Sequence, residues 1–254
     1  MQDYTIGESY TLPSLGKVYS REVKPEIKIR SMTTEEEMKR VASVDYPYKN
    51  MSEIIDDCLV EKPGISAYDM CIGDYQFLLH KLRVVTYGSD YTTVNKCIYC
   101  GSDTTKVIDL EDLEVLEYTE DFEKYREFDL PKSKKHIRLR VQTPRMLDEV
   151  SERVKKVKRK AKGQLEFDPT LIYTIAALIE EIDGQRPDVV KTEEWIRTLP
   201  MADTNTIIQY AEKMNESIGI DASLDCTCDV CGLTYHTVMQ TTSEFFRPVL
   251  DFGR

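Results

Sequence analysis

Cys97-Ile-Tyr-Cys100-Gly101 and Cys228-Asp-Val-Cys231-Gly232 are two copies of one local design, C-x-x-C-G, set far apart in the chain. In such a turn two thiolates converge on one centre, and the trailing glycine lets the backbone fold back and aim amides at the sulfurs. Apolar and β-branched runs flank both copies: Tyr91-Thr-Thr-Val94 and Thr104-Thr-Lys-Val-Ile108 around the first, Leu233-Thr-Tyr235 and Thr237-Val238 after the second. The pattern predicts two β-hairpins, each with a cysteine knuckle at its tip. Together they make a four-cysteine zinc ribbon in which Cys97, Cys100, Cys228 and Cys231 hold structural Zn2+. A single C-x-x-C says little; two with the same glycine and the same flanks say much more.

At 254 residues the chain holds one large domain or two modest ones, with a core large enough to need no disulfides. Its formal charge of −11 argues against a general nucleic-acid binder, because such affinity begins with neutralised phosphates. The seven cysteines are an odd set, and the opening Met-Gln-Asp-Tyr-Thr carries no apolar signal segment. The expected folding compartment is a reducing cytosol, where paired cysteines hold metal more often than they form disulfides. The longest apolar run, Leu171 to Ile179, is far short of a membrane span, so neither membrane nor nucleic acid is an expected partner.

The expected fold class is α+β: a zinc-ribbon β element, a long inserted and mainly helical subdomain, and an extended N-terminal arm. Residues 1–25 read as the arm, punctuated by Pro13 and Gly16 and without helical period. Residues 26–96 mix strand and helix. Glu26–Met32 alternates, Thr33 and Thr34 before Glu35 make a capping-box start, and Ser52 reads as the cap of a second helix. A third helix from Asp74 places Tyr75, Leu78, Leu79, Leu82 and Val85 on one face and stops at Gly88. The ribbon halves are 97–110 and 222–240. Between them, 111–142 reads as a β-hairpin region, with Phe128–Leu130 and His136–Val141 about Pro131, and 143–221 as the helical insert. In the insert, Thr143-Pro144 and Asp168-Pro169 are start signals, Thr192 and Asp203 read as caps, and Lys155–Lys162 is a strongly basic helix end. Residues 241–254 form an aromatic C-terminal tail, whose adjacent Phe245 and Phe246 would face opposite sides of an extended segment.

The remaining chemistry-bearing residues read plainly. Cys58 and Cys71 lack C-x-x-C partners and read as small buried hydrophobes, and His80 and His136 are single histidines in ordinary element patterns. Cys226 and His236 leave the ligand set open, although a Cys226–Cys231 pair would lose the tight knuckle. No catalytic constellation emerges, neither G-x-S-x-G, phosphate loop nor H-E-x-x-H, and four thiolates would close a zinc site to substrate; the chain is expected not to be an enzyme.

A series of short motifs runs through the chain in order. It begins with Leu12-Pro-Ser-Leu-Gly16 and Tyr19, Ile29-Arg-Ser-Met-Thr-Thr-Glu35, and Gly73-Asp-Tyr-Gln-Phe-Leu-Leu79 running into Tyr87-Gly88. It continues with both knuckles, Asp109-Leu-Glu-Asp-Leu113, Ile182-Asp-Gly184 and Glu244-Phe-Phe-Arg-Pro248. The series resembles the T-even-type bacteriophage baseplate protein family, described as baseplate hub subunits or hub assembly chaperones. The resemblance covers nearly the whole chain and matches Cys97, Cys100, Cys228 and Cys231 to the family's paired knuckles. Leu15 stands where a lysine is expected, and Cys226 is an extra cysteine. It implies a protein made in the host cytoplasm that binds other hub and tail components during baseplate assembly, with the virion tail baseplate as a second location. The alternative is a zinc-ribbon nucleic-acid binder or transcription regulator, against which the net charge speaks.

Overall fold

The computed structural model describes residues 7–162, 167–239 and 243–246. Strand β1 (Gly7–Thr11) lies antiparallel to β2 (Glu26–Arg30), with Tyr10 opposite Ile27. Helix α1 (Thr34–Val41) starts as its sequence predicts, with Thr33 and Glu36 closing a reciprocal capping box. Helix α2 (Pro47–Cys58) begins before the expected cap at Ser52. Pro47 sits in the first turn, where a missing N–H costs nothing, so Asp45-Tyr-Pro47 is a start as well as a stop. Strand β3 (Leu59–Glu61) completes a three-stranded sheet in the order β1-β2-β3.

Helix α3 (Ile72–Tyr87) was expected to bury one face. It buries Phe77, His80, Arg83 and Val84 as well as the predicted stripe, so it is a central post packed on all sides. Strands β4 (Asp90–Lys96) and β5 (Asp103–Asp109) follow as a hairpin. Strand β6 (Val115–Leu116) and helix α4 (Asp121–Arg126) come next, both too short to leave a period in the sequence. Region 111–142 is thus more than a hairpin, though the predicted hairpin is present: β7 (Glu127–Asp129) pairs with β8 (His136–Leu139), Phe128 opposite Ile137.

The expected helical insert, 143–221, contains α5 (Pro144–Lys160), α6 (Thr170–Leu178), β9 (Ile179–Ile182), α7 (Val189–Thr198), α8 (Met201–Glu216) and β10 (Gly219–Ile220). Leu171, Ile172, Ile175, Leu178, Ile179 and Ile182 follow a helical spacing in the sequence, but the helix breaks at Ile179. There β8 offers an edge, and Ile179 and Ile182 pair with Leu139 and Ile137. Asp188, not Thr192, caps α7 by accepting from the Val190 and Lys191 amides. Asp203 lies in the first turn of α8, and its carboxylate accepts from the Lys132 and Ser133 amides, joining the β7–β8 turn to the helix. The last described elements are a hairpin of β11 (Ser223–Thr227) and β12 (Thr234–Val238) and a short turn, Ser243–Phe246. The expected helix stop at Gly163 lies outside the described residues.

Two cores result. The first gathers α2, α3, the sheet β1-β2-β3 and both long hairpins around Ile29, Ile54, Leu78, Leu82 and Tyr235. The second gathers the β7-β8-β9 sheet and the insert helices around Phe128, Leu130, Ile137, Ile175 and Ile207.

The described parts of the arm and the tail belong to the fold. The expected arm is a sheet strand and a packed loop in its described part, with Leu12 and Ser14 fully buried; residues 1–6 lie outside the described residues. In the tail, Phe245 and Phe246 both point inward, because the segment is a turn and not extended. Phe245 packs edge-on to Tyr91 and beside His80, and its carbonyl accepts from the buried Arg83 guanidinium at 2.9 Å. Arg247, Pro248 and Phe252 lie outside the described residues.

The two cores meet at the first turn of α3. The Ile72 amide donates to the Gln142 carbonyl, at the entry to α5. The Asp74 carboxylate, fully buried, accepts from the Ser14 amide (2.9 Å), the Ser14 hydroxyl (2.5 Å) and the Tyr19 hydroxyl (2.6 Å). Burial pushes this carboxyl above its usual range, and the donors of Ser14 and Tyr19 offset part of the rise. Gly73 meets the strand returning from the insert so closely that a Cβ would stand 2.2 Å from the Ile218 carbonyl oxygen. Gly219, at φ 121°, faces it from the other side.

This approach gives a test with an informative sign. Alanine normally favours a helix over glycine by about 1 kcal/mol. Gly73→Ala should instead lower stability by about 2 kcal/mol, because the methyl displaces a backbone carbonyl. Urea unfolding measures it; an unchanged or raised midpoint would show that the two segments do not touch this closely.

Candidate metal centre

Each knuckle is the tip of a hairpin held in strict register. Lys96 faces Asp103 across the first, and Thr227 faces Thr234 across the second. The backbone closes both tips in the same way. The Cys97 amide donates to the Ser102 carbonyl and the Gly101 amide returns to the Cys97 carbonyl; Cys228, Leu233 and Gly232 repeat the pattern. Gly101 and Gly232 hold φ at 74° and 71°, the left-handed region that these closures require. The Val230 amide points at the Cys228 sulfur at 3.4 Å, as expected for a thiolate-binding turn.

The fold brings the two tips together. The four sulfurs of Cys97, Cys100, Cys228 and Cys231 lie within 4.8 Å of one another. The Cys97–Cys231 and Cys100–Cys228 separations are 3.7 and 3.6 Å. A tetrahedron with metal–sulfur bonds of about 2.3 Å has edges of about 3.8 Å, so the spacing fits one tetrahedral ion. Cys97 and Cys228 are buried while Cys100 and Cys231 lie towards solvent.

The electrostatics of the cluster favour a cation. The Ser102 hydroxyl, 3.2 Å from the Cys228 sulfur, and the Cys231 and Val230 amides bring the Cys228 thiol down to about 5. Ser102 also lowers Cys100. Cys231 moves the other way, to about 12: the Leu233 amide favours its thiolate, but desolvation and the neighbouring thiols outweigh it. Four sulfurs this close cannot all ionise unless a positive charge sits among them.

The other candidates stand apart. Cys226 is on β11 opposite Tyr235, buried, with its sulfur 3.9 Å from the Asn95 side-chain nitrogen. His236 is exposed and pairs with Asp225 at 3.1 Å. Cys58 is buried beside Arg30, and burial pushes its thiol up to about 12. Cys71 caps α3, its sulfur accepting from the Asp74 amide, and burial raises its thiol. His80 is buried against Phe245, and burial lowers it to about 4. His136 is exposed beside Asp129. The sequence reading took Asp74 and Asp203 only as helix-start residues and passed over Arg83; their burial shows only once the partner segments are in place. Gly73, a glycine at a helix start, was the one local hint of a close approach.

The four sulfurs bring the tip of β4–β5 against the tip of β11–β12, and both hairpins belong to the first core. The insert is closed separately. Strand β6 pairs with β10, Leu116 opposite Gly219 and Val115 opposite Ile220, and the Asp221 amide donates to the Glu114 carbonyl. Among the described residues, no helix is long and apolar enough to cross a membrane.

These features define an α+β protein whose two far-separated cysteine knuckles share one centre. The family model described as T4 bacteriophage base plate protein matches residues 5–247, and the chain belongs to that family. No curated protein and no solved structure matches it.

Metal analysis of the purified protein should find about one ion per chain, since the knuckles supply one tetrahedral set. Cys100→Ser should lose the ion, whereas Cys58→Ser, Cys71→Ser and Cys226→Ser should retain it. Loss of metal from Cys226→Ser, or a well-folded metal-free wild type, would refute this ligand set.

Proposed function

We propose that this protein acts in the hub of a contractile-tail baseplate, as a hub subunit or hub assembly chaperone, by binding other hub and tail components. The observation that carries the reading is the family match, which spans nearly the whole chain. Zinc is the structural ion of the four-cysteine centre, because an all-thiolate tetrahedral set suits it and leaves no open position for substrate. On this reading the protein is not an enzyme. It is made in the host cytoplasm and acts there and in the tail baseplate of the virion.

The physical features support an interaction role. Ile98, Tyr99, Val230 and Leu233 are exposed around the knuckle tips, where a protein partner gains from apolar contact. The nucleic-acid alternative has little support, because the basic run sits at the end of α5, away from the cysteine knuckles in sequence, and the chain carries a net charge of −11.

Affinity-tagged protein recovered from phage-infected cells should co-purify with other baseplate proteins, and mass spectrometry of assembled particles against lysate should then separate subunit from chaperone. Recovery of no tail component, together with DNA binding at physiological salt, would overturn the proposal in favour of the regulator.

A further inference from the structure

Helices α5 and α6, with Tyr48 of α2, line an open cavity of about 430 Å³ to which no residue of the metal centre contributes. Met146, Leu147, Val150 and Val154 line its floor from α5, while Lys155 and Lys158 stand at its rim. Val154 is buried and the other three are half-buried, so the floor is apolar surface still in contact with solvent.

The charge around this opening is unlike that of the chain. Against a net charge of −11, α5 ends in Lys155-Lys-Val-Lys-Arg-Lys-Ala-Lys162. Among the described residues Lys155 reaches the Asp45 carbonyl, at 3.4 Å, and Lys158 pairs with the exposed Asp168 at 3.0 Å. Arg159, Lys160 and Lys162 form no ion pair among the described residues. Cations at a helix C-terminus interact favourably with the helix dipole, which explains one or two of them. It does not explain a cationic rim set beside an apolar floor.

We propose that the groove between α5 and α6 seats an acidic segment of another tail protein, with apolar side chains on the floor and carboxylates against the lysine rim. The choice of a tail protein rests on the function proposed above; the chemistry of the segment rests on the groove alone. A nucleic-acid backbone would satisfy the cations but leave the floor empty. An amphipathic segment with flanking carboxylates satisfies both.

A photo-crosslinking amino acid at Ser151, an exposed groove residue, tests this in the full-length protein during infection. The expected product joins the groove to a carboxylate-rich segment of a baseplate protein, mapped by peptide mass spectrometry. Lys155→Glu/Lys158→Glu should cut its yield at least about tenfold. Arg159→Glu/Lys160→Glu, which breaks no ion pair among the described residues, should cut it in the same direction with at most a small fall in the thermal melt. Crosslinks to nucleic acid or to a second copy of this chain would overturn the inference, as would a yield indifferent to both charge reversals. If the protein still co-purifies with baseplate proteins while the groove crosslinks to none, the groove inference fails and the proposed function stands. If no tail protein is recovered at all, it is the function that fails.

Discussion

Four consecutive residues, Cys71 to Asp74, hold this molecule together. Within one helical turn the backbone or side chains meet the N-terminal loop, the entry to α5 and the strand returning from the insert. The arrangement depends on removing one side chain and burying one charge. Gly73 makes room for the Ile218 carbonyl, and Asp74 sits at the helix N-terminus, where the helix dipole and the donors of Ser14 and Tyr19 offset its desolvation. Two motifs far apart in sequence, Leu12–Tyr19 and Gly73–Leu79, are therefore halves of one contact.

This junction changes the part a metal ion can play. With the ribbon halves at 97–110 and 222–240, an ion shared by both knuckles would by itself close everything between them and hold the helical region against the rest. In the structure, the β6–β10 pairing and the Gly73–Gly219 approach already close the insert near its base. Further contacts dock it directly: the Asp148 carboxylate accepts from the Lys49 amide and the Tyr68 hydroxyl, and Arg145 pairs with Asp69. Loop-closure entropy rises only slowly with length, so little is left for a second closure of the same loop to contribute. What an ion held by the four cysteines would add is local: it would fix two hairpin tips whose outer surfaces carry exposed apolar residues.

The knuckles were legible in the sequence because their chemistry is local. Two cysteines, a glycine and flanking strands fix a hairpin tip whatever surrounds it, and the four sulfurs converge as the repeated motif suggests. The long amphipathic helices and the β7–β8 hairpin were legible for the same reason. What could not be read depends on partners remote in sequence. Ile179–Ile182 is helical by pattern and becomes a strand because β8 has a free edge. Residues 7–11 look like a loose arm until β2 pairs with them. Phe245 and Phe246 read as opposed until a turn sends both to the same core. Each is a case of tertiary context overriding a weak local preference.

The central claim is that the first turn of α3, not the metal centre, joins the two cores. Native-state hydrogen exchange on wild-type protein with and without a chelator tests it directly, because exchange reports opening segment by segment. Removing the metal should speed exchange in β4, β5, β11 and β12 while the amides of α3, β10 and the insert helices keep their protection. Loss of protection across α3 and the whole insert on chelation would contradict the account and return the joining role to the metal.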